Sequence, residues 1–185
     1  MQKTLDEIAE VFTGARVSRF NKENAELKPV FLRPSALSHE NKLNYFLDRI
    51  SNELNEKYYS KKEDILILLA NPESIIKVDT EGIIIPMDFA VIRVKREYNP
   101  QFIYHLLKNK IITREIPRLV EGSVLRVIKT NNLKEIKIPI IKKEKQDKCA
   151  NLLKLIDKRI KLNKELIKLD ENIEKVILNK ILGEN

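Results

Sequence analysis

Glycine is scarce in this chain: four residues in 185, at positions 14, 82, 122 and 183. No two lie close enough to build a phosphate-cradling or dinucleotide-binding loop, which argues against a nucleotide-binding enzyme. Histidine is scarcer. His39 and His105 stand without a cysteine or a second histidine at ligand spacing, so no metal site is expected. The one cysteine, Cys149, allows no disulfide within a chain and fits a reducing compartment. Long apolar runs are missing too: none approaches the roughly 18 residues of a membrane span. The first thirty residues mix charges and hold no signal-peptide core. A soluble, cytoplasmic protein is expected. Asp64, Asp79, Glu81 and Asp88 fall at expected turns and strand ends. They are not clustered as a metal-dependent nuclease would need them. No catalytic residue is expected.

Positive charge, by contrast, is in excess. Lys and Arg number 35 against 27 Asp and Glu, a formal net charge of +8 with a pI near 9.4. A basic chain points to a polyanionic partner, although a lysine-rich composition accounts for part of the excess.

Residues 142–182 organise the rest. They contain no proline and no glycine. Apolar residues recur at Cys149, Leu153, Ile156, Ile160, Ile167, Ile173, Ile177 and Ile181, mostly at helical steps. A second row runs through Leu152, Leu155, Leu162, Leu166, Leu169 and Val176. An unbroken helix here is about 60 Å long at 1.5 Å per residue. A domain of this size cannot cover such a length, so part of the helix is expected to project and bury its stripes on another chain. Two apolar rows are more than one docking face needs. Asn163 sits inside the first stripe, where a polar residue fixes register and partner number. Leu153, Ile156, Ile160, Asn163, Ile167 and Ile173 are the expected dimer interface.

Ahead of this helix the chain reads as short mixed elements. Thr4-Leu5-Asp6-Glu7 is a capping box opening a helix with Leu5, Ile8, Ala9 and Phe12 buried and Gly14 ending it. A basic segment follows, with Arg16, Ser18, Arg19 and Lys22. Arginine offers a rigid fork of donors to phosphates or base edges, and the same pattern fits an ordinary surface loop. Strands are expected at 30–32, 65–70 and 89–94, and at 124–128 before an extended piece at 136–140. The spacing of Leu43, Phe46, Leu47, Ile50 and Leu54 predicts a helix over 41–57. Residues 75–78 and 83–85 predict a hairpin around a turn at 79–82. Pro100 opens a helix bearing Phe102, Ile103, Leu106 and Leu107. Asn132 is read as the cap of a single turn. The segment 111–120, with Arg114 and Arg118, is ambiguous. Asn99-Pro100-Gln101-Phe102 resembles the Asn-Pro-Pro-Phe motif of amino-methyltransferases only in passing: its third residue differs and the cofactor loop is absent.

The order of several short motifs resembles a known family. These are Leu5-Asp6-Glu7-Ile8-Ala9-Glu10-Val11 with Gly14; Glu63-Asp64-Ile65-Leu66-Ile67; and Pro86-Met87-Asp88-Phe89-Ala90-Val91-Ile92-Arg93. After them come Tyr104-His105-Leu106-Leu107, Gly122-Ser123-Val124 and Leu133-Lys134-Glu135-Ile136-Lys137-Ile138-Pro139. A helix with Gln146, Leu152, Leu153, Ile156, Asp157 and Ile160 closes the series. Together they resemble the specificity subunit of type I restriction–modification enzymes, over nearly the whole chain. Three departures stand out. Glu63-Asp64 replaces the family's Gly-Asp, Pro139-Ile140-Ile141 replaces Pro-hydrophobic-Pro, and Lys145-Gln146 replaces Glu-Gln.

The resemblance implies an α+β fold: a mixed small-sheet target recognition domain over residues 1–140, then a spacer helix over 141–185. It implies a non-catalytic subunit that reads one part of a two-part site on double-stranded DNA. The helix pairs antiparallel with another spacer helix. Methyltransferase subunits carry S-adenosylmethionine, so no cofactor is expected on this chain, and a restriction subunit can join. Family members commonly carry two recognition domains and two spacer helices, so this chain is expected to act as a half-subunit that self-associates. Arg16, Ser18, Arg19, Lys22, Arg33, Arg114 and Arg118 are the candidate DNA contacts. A stand-alone dimeric DNA-binding regulator and a small nuclease are the competing readings.

Overall fold

The computed structural model describes residues 1–32, 44–113, 120–121 and 127–183. In chain order the elements are β1 (Gln2–Thr4), α1 (Leu5–Ile8), β2 (Ala9–Thr13), β3 (Leu27–Phe31), β4 (Tyr45–Arg49), β5 (Ile65–Leu68) and β6 (Asn71–Lys77). Then follow β7 (Phe89–Val94), α2 (Pro100–Lys108), α3 (Lys110–Thr113), β8 (Val120–Glu121), β9 (Val127–Ile128), α4 (Thr130–Lys134), β10 (Lys137–Pro139) and α5 (Lys143–Leu182). The architecture is α+β with small sheets and one long C-terminal helix, as expected.

The centre is an antiparallel sheet in the order β2-β7-β5-β6. Its inner strand β5 is apolar at every position because both sheet faces are covered. Ile65 and Ile67 face a core that also holds Leu5, Ile8, Ile92, Ile103, Leu133 and Ala150. Leu66 and Leu68 face the opposite way, onto Phe31, Ile85, Phe89 and Val91. Each such side chain contributes about 1.5–3 kcal/mol by leaving water. A third cluster, of Ala15, Val30, Ile50, Leu54 and Ile84, lies under the basic loop described below.

The capping box forms: Glu7 Oε2 accepts from the Thr4 amide at 2.6 Å and from the Thr4 hydroxyl at 3.0 Å. Those bonds hold the Glu7 carboxyl below its ordinary 4.5. Its stabilisation is therefore present above that ordinary value and lost as the pH falls through the lowered one. The helix it opens is only one turn long, however. Ala9–Thr13 is strand β2, drawn into the sheet by five pairings with β7, and Phe12 lies in that strand rather than on a helix. Gly14 does not cap a helix. It passes against the chain at Pro86, where a β-carbon would lie 2.2 Å from the Pro86 carbonyl oxygen, so no side chain fits.

The helix predicted over 41–57 is not there in the described part. Tyr45–Arg49 is strand β4, paired antiparallel with β3 from Leu27↔Arg49 to Phe31↔Tyr45. A partner strand outweighs an apolar spacing that also suits a helix. Among the described residues of the expected stripe, only Ile50 and Leu54 reach the core. The hairpin around 79–82 is absent as well. β6 pairs back on β5 across a bulge, and Ile84 instead bridges Val30 and Tyr59. Helix α4 starts after Lys129, ahead of the expected Asn132 cap. Residues 124–126 of the expected strand, and Gly122-Ser123-Val124, lie outside the described residues.

Glu63 has φ 72°, in the left-handed region. This is the position where the resemblance calls for glycine. A side chain there costs on the order of 1–2 kcal/mol, and a partly exposed pair such as Lys77 Nζ to Glu63 Oε1 at 3.3 Å returns at most about 1 kcal/mol. Glu63→Gly is thus expected to stabilise the protein by about 1 kcal/mol, seen as a higher urea midpoint. A lower midpoint would mean that the pair outweighs the strain.

β1 pairs with β10 from Gln2↔Pro139 to Thr4↔Lys137. This ladder ties the start of the globular part to the segment that leads directly into α5. Helix α2 lies beside the first turns of α5. Asn99 caps α2, its side chain accepting from the Phe102 amide at 3.1 Å, and Pro100 takes the first turn.

Candidate nucleic-acid interface

The basic segment forms a loop on a fixed base. The Gly14 amide donates to the Phe89 carbonyl at 3.0 Å and the Ala15 amide to that of Ile85 at 2.8 Å. Val17 and Phe20 pack on the third core cluster. Between them runs a 3-10 turn, Val17–Arg19, whose exit is held by the Ser51 amide donating to the Phe20 carbonyl at 2.9 Å. Arg16, Ser18, Arg19 and Lys22 are consequently all exposed while their backbone is fixed. Such a loop can meet a polyanion with little ordering cost.

The charges differ in availability. Lys22 Nζ sits 2.8 Å from Glu53 Oε1, a bond that lowers the Glu53 carboxyl below its ordinary range. Among the described residues Arg16 and Arg19 have no acidic partner. Arg49 is a further exposed cation here. Its carbonyl accepts from the Lys22 amide at 3.3 Å and its guanidinium donates to the Ala25 carbonyl at 3.1 Å. Nothing local in the sequence marks Arg49, because its place beside the loop depends on the pairing of β4 with β3. Arg33, Arg114 and Arg118 lie outside the described residues.

Arg93 is basic but committed. Its Nε and Nη2 hold Asp64 Oδ1 and Oδ2 at 2.9 and 2.7 Å, and Nη2 also reaches the Tyr59 carbonyl at 3.2 Å. The hydrogen-bonded Asp64 carboxylate raises the Arg93 pKa above its ordinary value. Asp64, which is 2% exposed, also takes the Lys61 amide at 2.8 Å. This fork joins the entry of β5 to β7 and is part of the framework.

The second candidate surface is α5. Its first turns dock on the globular part through Gln146 and Ala150, with Leu153 and Asp157 half-buried; from Lys158 onward every described residue is exposed. Ile156, Ile160 and Ile167 are 51%, 48% and 56% exposed. On a helix, Ile173 falls six residues past Ile167 and so joins the other row. That row, Leu162, Leu166, Leu169, Ile173 and Val176, keeps alternate steps of four and three without a polar break and is exposed as well. Soluble chains rarely show apolar rows of this length to water. No helix among the described residues is long and apolar enough to cross a membrane, and none of their His, Cys, Asp or Glu side chains gather in threes as a metal site would need.

Comparison with known proteins bears on both surfaces. A search of curated proteins finds no match. Solved structures do match. The HsdS subunit from Thermoanaerobacter tengcongensis superposes with a TM-score of 0.65 at 16% identity, covering 100% of this chain and 48% of that one. The type I restriction–modification S subunit from M. genitalium gives 0.63 at 17%, covering 93% and 42%. A structure described as the basis of complex assembly and conformational transition of the type I R-M system gives 0.68 at 19%, covering 100% and 48%. The chain thus spans about half the length of the proteins it matches, and at these identities the likeness concerns the fold. The model of the type I restriction modification DNA specificity domain matches residues 1–171, taking in the basic loop, the Asp64–Arg93 fork and most of α5. A match over that much of the sequence, on the same small-sheet domain and projecting helix, places this chain in the type I restriction modification DNA specificity domain family.

Proposed function

We propose that the chain gives a type I restriction–modification system its sequence specificity by reading one part of a bipartite site on double-stranded DNA. Residues 1–140 form the recognition domain and 141–185 the spacer helix. The observation that carries the reading is the rigidly based loop that exposes Arg16, Ser18, Arg19 and Lys22, with Arg49 beside it. Arg33, Arg114 and Arg118 complete the proposed DNA contacts. The chain works in the cytoplasm as a non-catalytic subunit. Methyltransferase subunits bind alongside α5 and carry S-adenosylmethionine, and a restriction subunit joins the assembly. The two apolar rows of α5 suit this division, one for a second spacer helix and one for the methyltransferase.

The test is methyl transfer. With duplex DNA and S-adenosylmethionine the pure chain is expected to transfer nothing, and adding type I methyltransferase subunits is expected to start transfer at a defined site. Sequence-specific DNA binding with no gain on adding those subunits would favour a stand-alone regulator.

The loop carries its own prediction. Replacing Arg16 and Arg19 together with alanine lowers the salt slope of DNA binding by about two units if both meet phosphate. If they meet guanine edges, discrimination falls by about 1–3 kcal/mol at each position read. Lys22→Ala has the smaller effect, because Glu53 already holds that charge. Titrations at several salt concentrations measure both quantities, and an unchanged affinity and slope in the double variant would remove the loop from the interface.

A further inference from the structure

The projecting helix is a lever, and its far end moves by whatever angle its root allows. Beyond Asp157 it runs about 38 Å to Leu182 at 1.5 Å per residue. Turning the root by about 5° moves the tip by about 3 Å, close to one base-pair step of duplex DNA. Whatever fixes the root angle therefore fixes where anything held at the tip sits relative to the recognition domain.

Two polar attachments hold the root, both supplied by α2. The first is at the α2 cap. The Asn99 amide donates to Gln146 Oε1 at 3.0 Å, Asn99 Nδ2 donates to Asp147 Oδ1 at 2.6 Å, and Gln146 Nε2 donates to the Ile141 carbonyl at 2.8 Å. The second lies about 16 Å further along α5. There Gln101 Nε2 and His105 Nε2 reach the same Asp157 Oδ2, at 2.9 and 3.0 Å. Gln101 is 7% exposed, and its amide oxygen accepts from Lys77 Nζ on β6. The amide is thereby braced by the sheet at one end while it grips α5 at the other. Between the attachments Ala150, buried in the core, lets the two helices approach closely. One attachment alone leaves a pivot, whereas two fix a direction.

We propose that Gln101, His105 and Asp157 are positioning residues that fix the angle at which the spacer helix leaves the recognition domain, and so set the gap between half-sites. The second clause rests on the DNA-binding reading above; the first does not. The Asp157 side chain is 41% exposed, and every described α5 residue after it is exposed. Its removal therefore loosens the angle without emptying the core.

Two measurements on the full chain test this. Nitroxide labels at Lys62→Cys and Lys175→Cys, in a Cys149→Ala background diluted with unlabelled protein, report the domain-to-tip distance by pulsed electron resonance. Asp157→Ala is expected at least to double the width of that distribution. Asp157→Asn, which keeps an acceptor oxygen, and Lys180→Ala, exposed on the projecting part, should leave it narrow. An unchanged width in Asp157→Ala overturns the proposal. The second measurement is binding to inverted half-sites whose gap grows one base pair at a time. The unsubstituted chain should prefer one gap at least tenfold over its neighbours, and Asp157→Ala should reduce that to threefold or less. A wild type with no gap preference, beside labels that behave as expected, overturns the spacing role and the bipartite-site reading and leaves the angular clamp standing.

Discussion

Asp64→Ala is expected to lower the stability of the globular part by about 3–5 kcal/mol, because it strands a cation inside the fold. The carboxylate accepts both prongs of the Arg93 fork and the Lys61 amide. Without it, Arg93 keeps the Tyr59 carbonyl, the face of Phe12, 5.4 Å from the guanidinium carbon, and the more distant charge of Glu10 across the strand pair. The Arg93 side chain retains 17% of its exposure, so water reaches it in part and the lower end of that range applies. Even 3 kcal/mol is a large share of the roughly 5–15 kcal/mol that holds a domain together. Urea unfolding of the two proteins measures the difference. A loss under about 1 kcal/mol, the value of an exposed pair, would show that solvent already shares the site.

Ile160→Asp is expected to convert a self-associating protein into a monomer whose recognition domain still folds. The first apolar stripe of α5 is exposed from Ile156 onward, which makes its burial on a second copy favourable. A two-fold axis uses the same patch twice. Charge favours the antiparallel arrangement. With the axis near Asn163, the stretch that carries Asp170, Glu171 and Glu174 lies beside residues 152–156 of the other copy, close to its Lys154 and Lys158. Leu153, Ile156, Ile160, Asn163 and Ile167 then form the seam, with Ile173 at its border. An aspartate there buries an unpaired charge from each copy, at several kcal/mol, so dissociation should rise at least hundredfold. Sedimentation of wild type and variant decides it. A wild type that stays monomeric at tens of micromolar would leave α5 to a different subunit. Monomerisation by Leu166→Asp but not by Ile160→Asp would move the seam to the second row.

What could be read from the sequence was what local chemistry decides. The Thr4–Glu7 box, the apolar β5, the Asn99-Pro100 helix start and the proline-free α5 each carry their signal within a few residues. Pairings across the chain do not. Tyr45–Arg49 is a strand because β3 lies beside it, and β1 meets β10 from the other end of the globular part. The Glu63 strain is likewise invisible in composition, although the departure from Gly-Asp marks its place. At the site, the polar and basic residues from Arg16 to Lys22 were enough to mark an exposed basic loop, although Gly14 before them ends a strand and not a helix. Arg49 was missed along with the strand that carries it. Gln101, His105 and Asp157 meet only once α2 lies on α5, so no local spacing joins them.

Selection from a library of randomised DNA duplexes, at about 150 mM salt so that non-specific phosphate contacts are weakened, tests the central claim most directly. The account predicts enrichment of a short motif repeated in inverted orientation across a gap of fixed length, and loss of that enrichment when Arg16 and Arg19 are replaced. Binding that enriches no sequence, with the same salt slope for every duplex, would contradict it.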